Sequence, residues 1–206
     1  MQFQTYIRQY IKRHPINSLF LMVNTIFFIT TLLTGGFNVL NLIELGAIFP
    51  PFVIESGEYY RLITGMFLHG NVFHFLMNMY ALFYLGGHME LMIGSRKYIL
   101  LYIISGLVAS IAVVFLGSYN TVTVGASGSI FGVMGGLFIL TLIRQSWFNE
   151  LAIRSIRNLM IINLIVTFLV ADISVLGHIG GLVAGTAFLY IFTPKRPHFL
   201  KSMYSD

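Results

Sequence analysis

The chain has 206 residues, of which 57% are hydrophobic and only 9% charged. Soluble domains carry about 25% charged residues, so a water-facing surface over the whole molecule is excluded, and lipid is the solvent for most of the chain. The absence of Cys excludes disulfide frameworks and thiolate metal sites, and the formal net charge of +5 follows membrane topology rather than marking a nucleic-acid partner.

Residues 1–16 form a short basic segment with Arg8, Lys12 and Arg13. The apolar run behind it is long and no small-residue cleavage site follows, so it reads as a retained first span and not a secretory signal. A bilayer core takes roughly 20 apolar residues per helix. Six blocks approach that length, at 17–36, 62–88, 97–117, 127–143, 158–173 and 177–193. The connection 37–61 is long and apolar and carries Phe49-Pro50-Pro51-Phe52, which suits the membrane interface. The connections 118–124 and 174–176 are short, and 194–206 forms a tail. The blocks are too long and too uniformly apolar for barrel strands. The expected fold is all-α, a polytopic bundle of six transmembrane helices over 17–193, with no further soluble domain.

The charges orient this bundle. Arg8, Lys12 and Arg13 precede the first block, and Arg96 and Lys97 separate the second and third. Arg144, Arg154 and Arg157 separate the fourth and fifth, and Lys195, Arg196 and Lys201 follow the sixth. Eleven of the twelve basic residues thus share one side, and only Arg61 lies on the other. The crowded side is expected to be cytoplasmic, with both termini there.

Ionisable and polar side chains within spans are costly and point to function. The second block holds His69, His74 and Asn78, the fourth begins with Ser127 and Ser129, and the sixth begins near His178. His74, Ser127 and His178 lie 16 or 17 residues from Glu90, Arg144 and Lys195, the charges at the cytoplasmic ends of their helices. At 1.5 Å per residue all three sit about 24–26 Å from that boundary, just below the outer surface. Gly128, Gly132 and Gly136 on the fourth block, and Gly177, Gly181 and Gly185 on the sixth, repeat every four residues. Such stripes let helix backbones approach closely, and Ser127 and His178 flank the outermost glycine of each.

A serine hydroxyl needs a base to become a nucleophile, and His178 is the base at this depth. Asp172 ends the fifth block and is expected to face water, so the arrangement is a dyad, with Phe131 one turn beyond Ser127 placed to pack on the imidazole. Ser127 opens a helix, where free N–H groups favour developing negative charge. His74 and Asn78 are spaced i, i+4 and can donate to the same oxyanion. Other readings stay open for each feature alone. Glycine stripes suit generic bundle packing, a membrane serine is commonly back-bonded, and Asn or His commonly joins helices. A metal site is disfavoured, because His69 and His74 are five apart on different faces and no H-E-x-x-H motif is present. A transporter is disfavoured by the lack of an inverted repeat.

At these residues the sequence resembles the rhomboid family. Gly125-Ala126-Ser127-Gly128 matches its G-x-S-G motif, and His178 with Gly180-Gly181 resembles its histidine motif. His74 and Asn78 match its H-x-x-x-N, with His69 upstream. Tyr60-Arg61 resembles its Trp-Arg pair with Tyr in place of Trp, and Tyr84-Leu85-Gly86-Gly87 with Glu90 matches the end of its second helix. The resemblance runs over about 57–190. It implies a six-helix fold and a Ser127–His178 dyad supported by His74, Asn78, His69, Gly125, Gly128 and Phe131. The site would open to the extracytoplasmic side of a cell membrane, a bacterial plasma membrane by this resemblance. Substrates would be single-span membrane proteins cut in or near their spans, with no cofactor, metal or nucleic acid. Many relatives carry Tyr where Phe131 stands, so a ring remains and a hydroxyl is lost. The runner-up is a rhomboid-like pseudoprotease that binds transmembrane clients without cleavage. The fifth block and the 37–61 connection, bulky and without a glycine stripe, are the expected moving gate.

Overall fold

The structure is a computed structural model of the chain and describes residues 2–171 and 173–199. Asp172 and Lys201, both used in the sequence reading, lie outside the described residues. The described chain is helical: α1 Gln2–Arg13, α2 Pro15–Thr34, α3 Val39–Glu44, α4 Pro50–Ile54, α5 Arg61–Thr64, α6 Val72–Ala81, a π turn Leu82–Gly86, α7 Gly87–Ile93, α8 Ser95–Leu116, α9 Ser127–Ile143, a 3-10 turn Gln145–Trp147, α10 Glu150–Leu169 and α11 Val175–Phe192. Among the described residues the extended pairing is a single antiparallel bridge, Ile48 with Thr123. Four helices, α2, α8, α10 and α11, are long and apolar enough to cross a bilayer, and α9 is a shorter apolar helix.

Three boundaries differ from the sequence reading, each for a local reason. The segment 1–16 contains a helix, α1. It places Tyr6, Ile7, Tyr10 and Ile11 at i, i+3, i+4 spacing and puts Arg8 and Lys12 on the other face. His14 leaves helical geometry at φ −132°, ψ 61°, and Pro15 opens α2, the position where a missing N–H costs nothing. The second block begins at Val72, not 62, because Arg61–Thr64 form a separate turn and Asn71 caps α6 by accepting from the His74 N–H. The fifth begins at Glu150, not 158: Asn149 caps it by accepting from the Ala152 N–H. Arg154 and Arg157 lower the hydropathy there without lowering helix propensity.

The helical run from α6 to α7 is continuous through the π turn. A π turn displaces carbonyls from their i+4 partners, and α1 and α2 supply replacements. Tyr10 Oη donates to the Phe83 carbonyl at 2.7 Å, and Asn17 Nδ2 donates to the Leu82 carbonyl at 2.9 Å. Asn17 is fully buried and also accepts from Tyr98 Oη at 2.5 Å. Glu90, 2% exposed, accepts from the Ile16 and Asn17 N–H groups and from Ser95 Oγ. A carboxylate therefore caps the first turn of α2, where free N–H groups and the helix dipole favour it.

α9 is the axis of the molecule. Gly128 to Leu137 are all buried, and α8, α10 and α11 pack around them. The glycine stripes make the closest contact. A methyl placed on Gly181 would lie 1.9 Å from the Gly128 carbonyl oxygen, and one on Gly185 1.9 Å from that of Gly132. The stripes also serve α8: a methyl on Gly128 would meet Ala109 at 2.6 Å, and one on Gly132 would meet Ser105 at 2.1 Å. α10 packs on α9 outside these stripes, and its one buried residue is Thr167.

The 37–71 region is folded around Arg61, which is 4% exposed. Its guanidinium donates to the Ile43 and Ala47 carbonyls at 2.6 and 3.2 Å, pairs with Glu58, and lies over the Phe52 ring at 4.9 Å. Arg61 is thus neutralised within the loop that it organises. Hydrogen bonds from Tyr60 and then Arg61 hold the Glu58 carboxyl below its ordinary pKa.

Candidate active site

Ser127 is the first residue of α9, and the loop before it is pinned to the first connection. Ile48 and Thr123 exchange hydrogen bonds at 3.0 and 2.9 Å, and the Gly125 N–H donates to the Gly65 carbonyl at 2.9 Å. Gly125 has φ +136°, a conformation that side chains resist. It also makes room for its neighbours. A Cβ placed there would lie 2.9 Å from His74 Nε2 and 3.4 Å from Ser127 Oγ. The imidazole of α6 and the hydroxyl of α9 therefore border one small space, vacated by the absent side chain of Gly125.

Asn78 stands one turn beyond His74 and is 7% exposed. Its Nδ2 is buried with no acceptor. A buried amide donor without a partner is destabilising by about 1–3 kcal/mol, so this group is available to any acceptor that enters the site. The first N–H groups of α9 likewise have no intrahelical acceptor.

His178 follows the Ser174 cap of α11, whose hydroxyl accepts from the Gly177 N–H. It is 8% exposed, and its ring stacks on Phe131 with centroids 3.9 Å apart and planes inclined by 19°. Its Nδ1 is hydrogen-bonded to Thr167 Oγ1 of α10 at 2.8 Å.

The predicted residues therefore fall into two touching groups. His74, Gly125 and Ser127 share one space, and Phe131 and His178 are stacked. Gly128 links them, since a methyl placed there would sit 3.5 Å from the Gly177 carbonyl. No hydrogen bond joins Ser127 to His178 among the described residues; the imidazole is held at Nδ1 by Thr167. Such bonds are commonly loose in the absence of substrate.

Two expectations are corrected. His69 precedes α6 and does not belong to it, because Gly70 and the Asn71 cap separate it from the helix. His69 and His74 do not diverge, as their rings meet edge to face with centroids 5.2 Å apart. His69 is fully buried and also meets Phe75 edge-on at 5.3 Å, so it backs the His74 ring. Thr167 was missed altogether. A threonine in an apolar helix carries no signal beyond back-bonding to its own turn. Among the described residues no group of three His, Cys, Asp or Glu is arranged to hold a metal ion.

Comparison with known proteins places the chain in a family. Residues 56–195 match the family model described as "Rhomboid domain". The chain is 35% identical over 180 residues to "Rhomboid protease GluP" of Bacillus subtilis, an alignment covering 87% of this chain and 35% of that protein. It is 31% identical over 166 residues to "RHOMBOID-like protein 4" of Arabidopsis thaliana, covering 80% and 41%. It is 33% identical over 157 residues to "RHOMBOID-like protein 6, mitochondrial" of the same plant, covering 74% and 50%. The chain thus spans a third to a half of the length of these relatives. With the family model matching most of its length, this multi-pass membrane chain belongs to the rhomboid family.

Proposed function

We propose that this chain is an intramembrane serine endopeptidase that cleaves transmembrane segments of single-span membrane proteins through a Ser127–His178 dyad. The observation that carries the reading is the space at Gly125. A nucleophilic hydroxyl and a histidine ring border it, and one turn beyond His74 lies the Asn78 amide donor that lacks an acceptor. That combination suits a transient oxyanion better than it suits packing.

In this reading Ser127 Oγ attacks the scissile carbonyl carbon and His178 Nε2 accepts the hydroxyl proton. The oxyanion is held by Asn78 Nδ2, the His74 ring and the Ser127 N–H. His178 then protonates the leaving amine, and water hydrolyses the acyl-enzyme by the reverse sequence. Phe131 holds the imidazole plane, Gly125 and Gly128 keep the approach free of side chains, and His69 supports His74. A helical substrate conceals its carbonyls in internal hydrogen bonds, so it must unwind before the attack. Gly or Pro near the cut favours that step.

The accompanying topology has six spans over 17–193, with the run 72–93 as the second and α9 as the fourth. Both termini are cytoplasmic and the site opens to the extracytoplasmic side of a cell membrane. Support comes from eleven of twelve basic residues on one side and from the length of α9. At 17 residues it reaches about 26 Å, short of a hydrocarbon core of about 30 Å, so its outer end lies within reach of water. The test is incubation of the purified protein in lipid with a single-span substrate and a serine-reactive fluorophosphonate. Labelling at Ser127, with loss of cleavage in Ser127→Ala, is expected. Cleavage by folded Ser127→Ala excludes this nucleophile, and absence of cleavage and labelling in the native chain favours a client-binding pseudoprotease.

A further inference from the structure

A histidine that accepts a proton from serine through Nε2 must carry its own proton on Nδ1. No carboxylate was expected at this depth to hold it there. The hydroxyl that meets Nδ1 belongs to Thr167, the one buried residue of α10, 1% exposed. Thr167 Oγ1 makes two contacts: 2.7 Å to the Asn163 carbonyl oxygen and 2.8 Å to His178 Nδ1. A hydroxyl has one proton to give, and a carbonyl oxygen can only accept. When that proton goes to Asn163, Thr167 Oγ1 presents a lone pair to Nδ1, and both contacts are hydrogen bonds only if Nδ1 carries a hydrogen. In the opposite arrangement Thr167 donates to Nδ1. The Asn163 contact is then lost, and Nε2 is protonated and unable to serve as base.

We infer that Thr167 is the positioning residue of this site, and that its back-bonded hydroxyl fixes the imidazole of His178 in the tautomer with hydrogen on Nδ1 and a free lone pair on Nε2. The inference rests on the dyad reading above and adds to it the third member that the dyad lacked. Phe131 constrains the plane of the ring, and Thr167 constrains its rotation and the location of its hydrogen. Once His178 has taken the serine proton, both ring nitrogens are donors. Nδ1–H then already has its acceptor, and no reorganisation is needed. Because Thr167 is carried by α10, the base is set by a helix that is otherwise loosely packed, and α10 must lie against α11 for the tautomer to hold.

The experiment compares Thr167→Val, which keeps the shape and removes the hydroxyl, with Thr167→Ser, which keeps the hydroxyl. Substrate cleavage in proteoliposomes and nitrogen NMR of ring-labelled histidine are both read, with the His178 signals assigned by their loss in His178→Gln. The expected result is a fall in kcat of about 10- to 10²-fold in Thr167→Val with unchanged KM, the worth of one hydrogen bond to a charged group. A protonated Nε2 signal should appear with it, and Thr167→Ser should restore both readouts. Unchanged kcat in folded Thr167→Val, or a bare Nε2 persisting in that variant, overturns the inference. If Thr167→Val does not fold, the native spectrum decides, since protonated Nε2 in the native chain overturns it equally. The tautomer is measured without turnover, so it stands apart from failure of the protease reading, which Ser127→Ala reports.

Discussion

Replacing Gly181 by Ala tests whether contact between α9 and α11 sets the distance from Ser127 to His178 that the proposed mechanism uses. The added methyl would lie 1.9 Å from the Gly128 carbonyl oxygen, whereas ordinary contact begins near 3.4 Å. The obstacle is backbone, so no side-chain rotation relieves it, and the two helices must separate locally by about 1.5 Å. Gly128 adjoins Ser127, and His178 lies three residues before Gly181, so the separation falls on the pair that exchanges a proton in the proposed mechanism. A displacement of about 1 Å at reacting groups lowers turnover about 10²-fold, while overpacking destabilises by about 1–3 kcal/mol. Gly181→Ala should therefore stay folded in detergent and lose at least about 10²-fold in kcat. The assay is cleavage of a fluorescent single-span substrate in proteoliposomes, with the rate of fluorophosphonate labelling at Ser127 read in parallel. Gly70→Ala is the control, because its methyl would find its nearest neighbour at 3.8 Å. A folded Gly181→Ala protein that cleaves at the native rate would refute the claim that this contact sets the geometry.

Three further outcomes are expected. Asn78→Ala should lower kcat about 10²-fold with little change in KM, read by the same cleavage assay; equal loss in binding and turnover would remove Asn78 from the oxyanion site. Glu90→Ala leaves the Ile16 and Asn17 N–H groups and Ser95 Oγ without their acceptor, and should lower stability by about 3 kcal/mol in a denaturant titration; Glu90→Gln should lose less. Glu58 has a depressed pKa in the folded loop through Tyr60 and Arg61. Its stabilising contribution is therefore complete above the ordinary glutamate value of 4.5 and is lost as pH falls through the lower folded value. Hydrogen exchange at residues 59–62 should accelerate over that interval in the native chain and be pH-independent, beyond the intrinsic rate, in Glu58→Gln.

The parts of this molecule that sequence disclosed are those written as periodicity. Gly128, Gly132, Gly181 and Gly185 announce a close helix pair by their spacing, and in the structure those backbones meet. The stacking of Phe131 on His178 follows from the same register. Long-range polar pairings carry no period and were not legible. Nothing in the spacing joins Asn17 to Leu82 and Tyr98, or Glu90 to the start of α2, since each link needs two helices to be placed first. Thr167 was hidden for the same reason. The start of α6 was within reach, because an asparagine before an apolar run is a cap signal, but hydropathy alone drew Leu62–Gly70 into the span. α10 illustrates the reverse error, where two arginines masked a helix that begins at Glu150.

The π turn at Leu82–Gly86 gives the run 72–93 two independent phases. An α-helix advances about 100° per residue, and a surplus residue in one turn rotates everything on one side of it relative to the other. His74 and Asn78 can thus be aimed at α9 while Glu90 remains aimed at the first turn of α2, two directions that a regular helix would not reconcile. The register of His74 and Asn78 is accordingly written in part in five residues, Leu82–Gly86, that lie beyond both of them in the chain. Insertion or deletion within that turn is the simplest way for a sequence to re-aim α6 while leaving the anchorage of α7 in place.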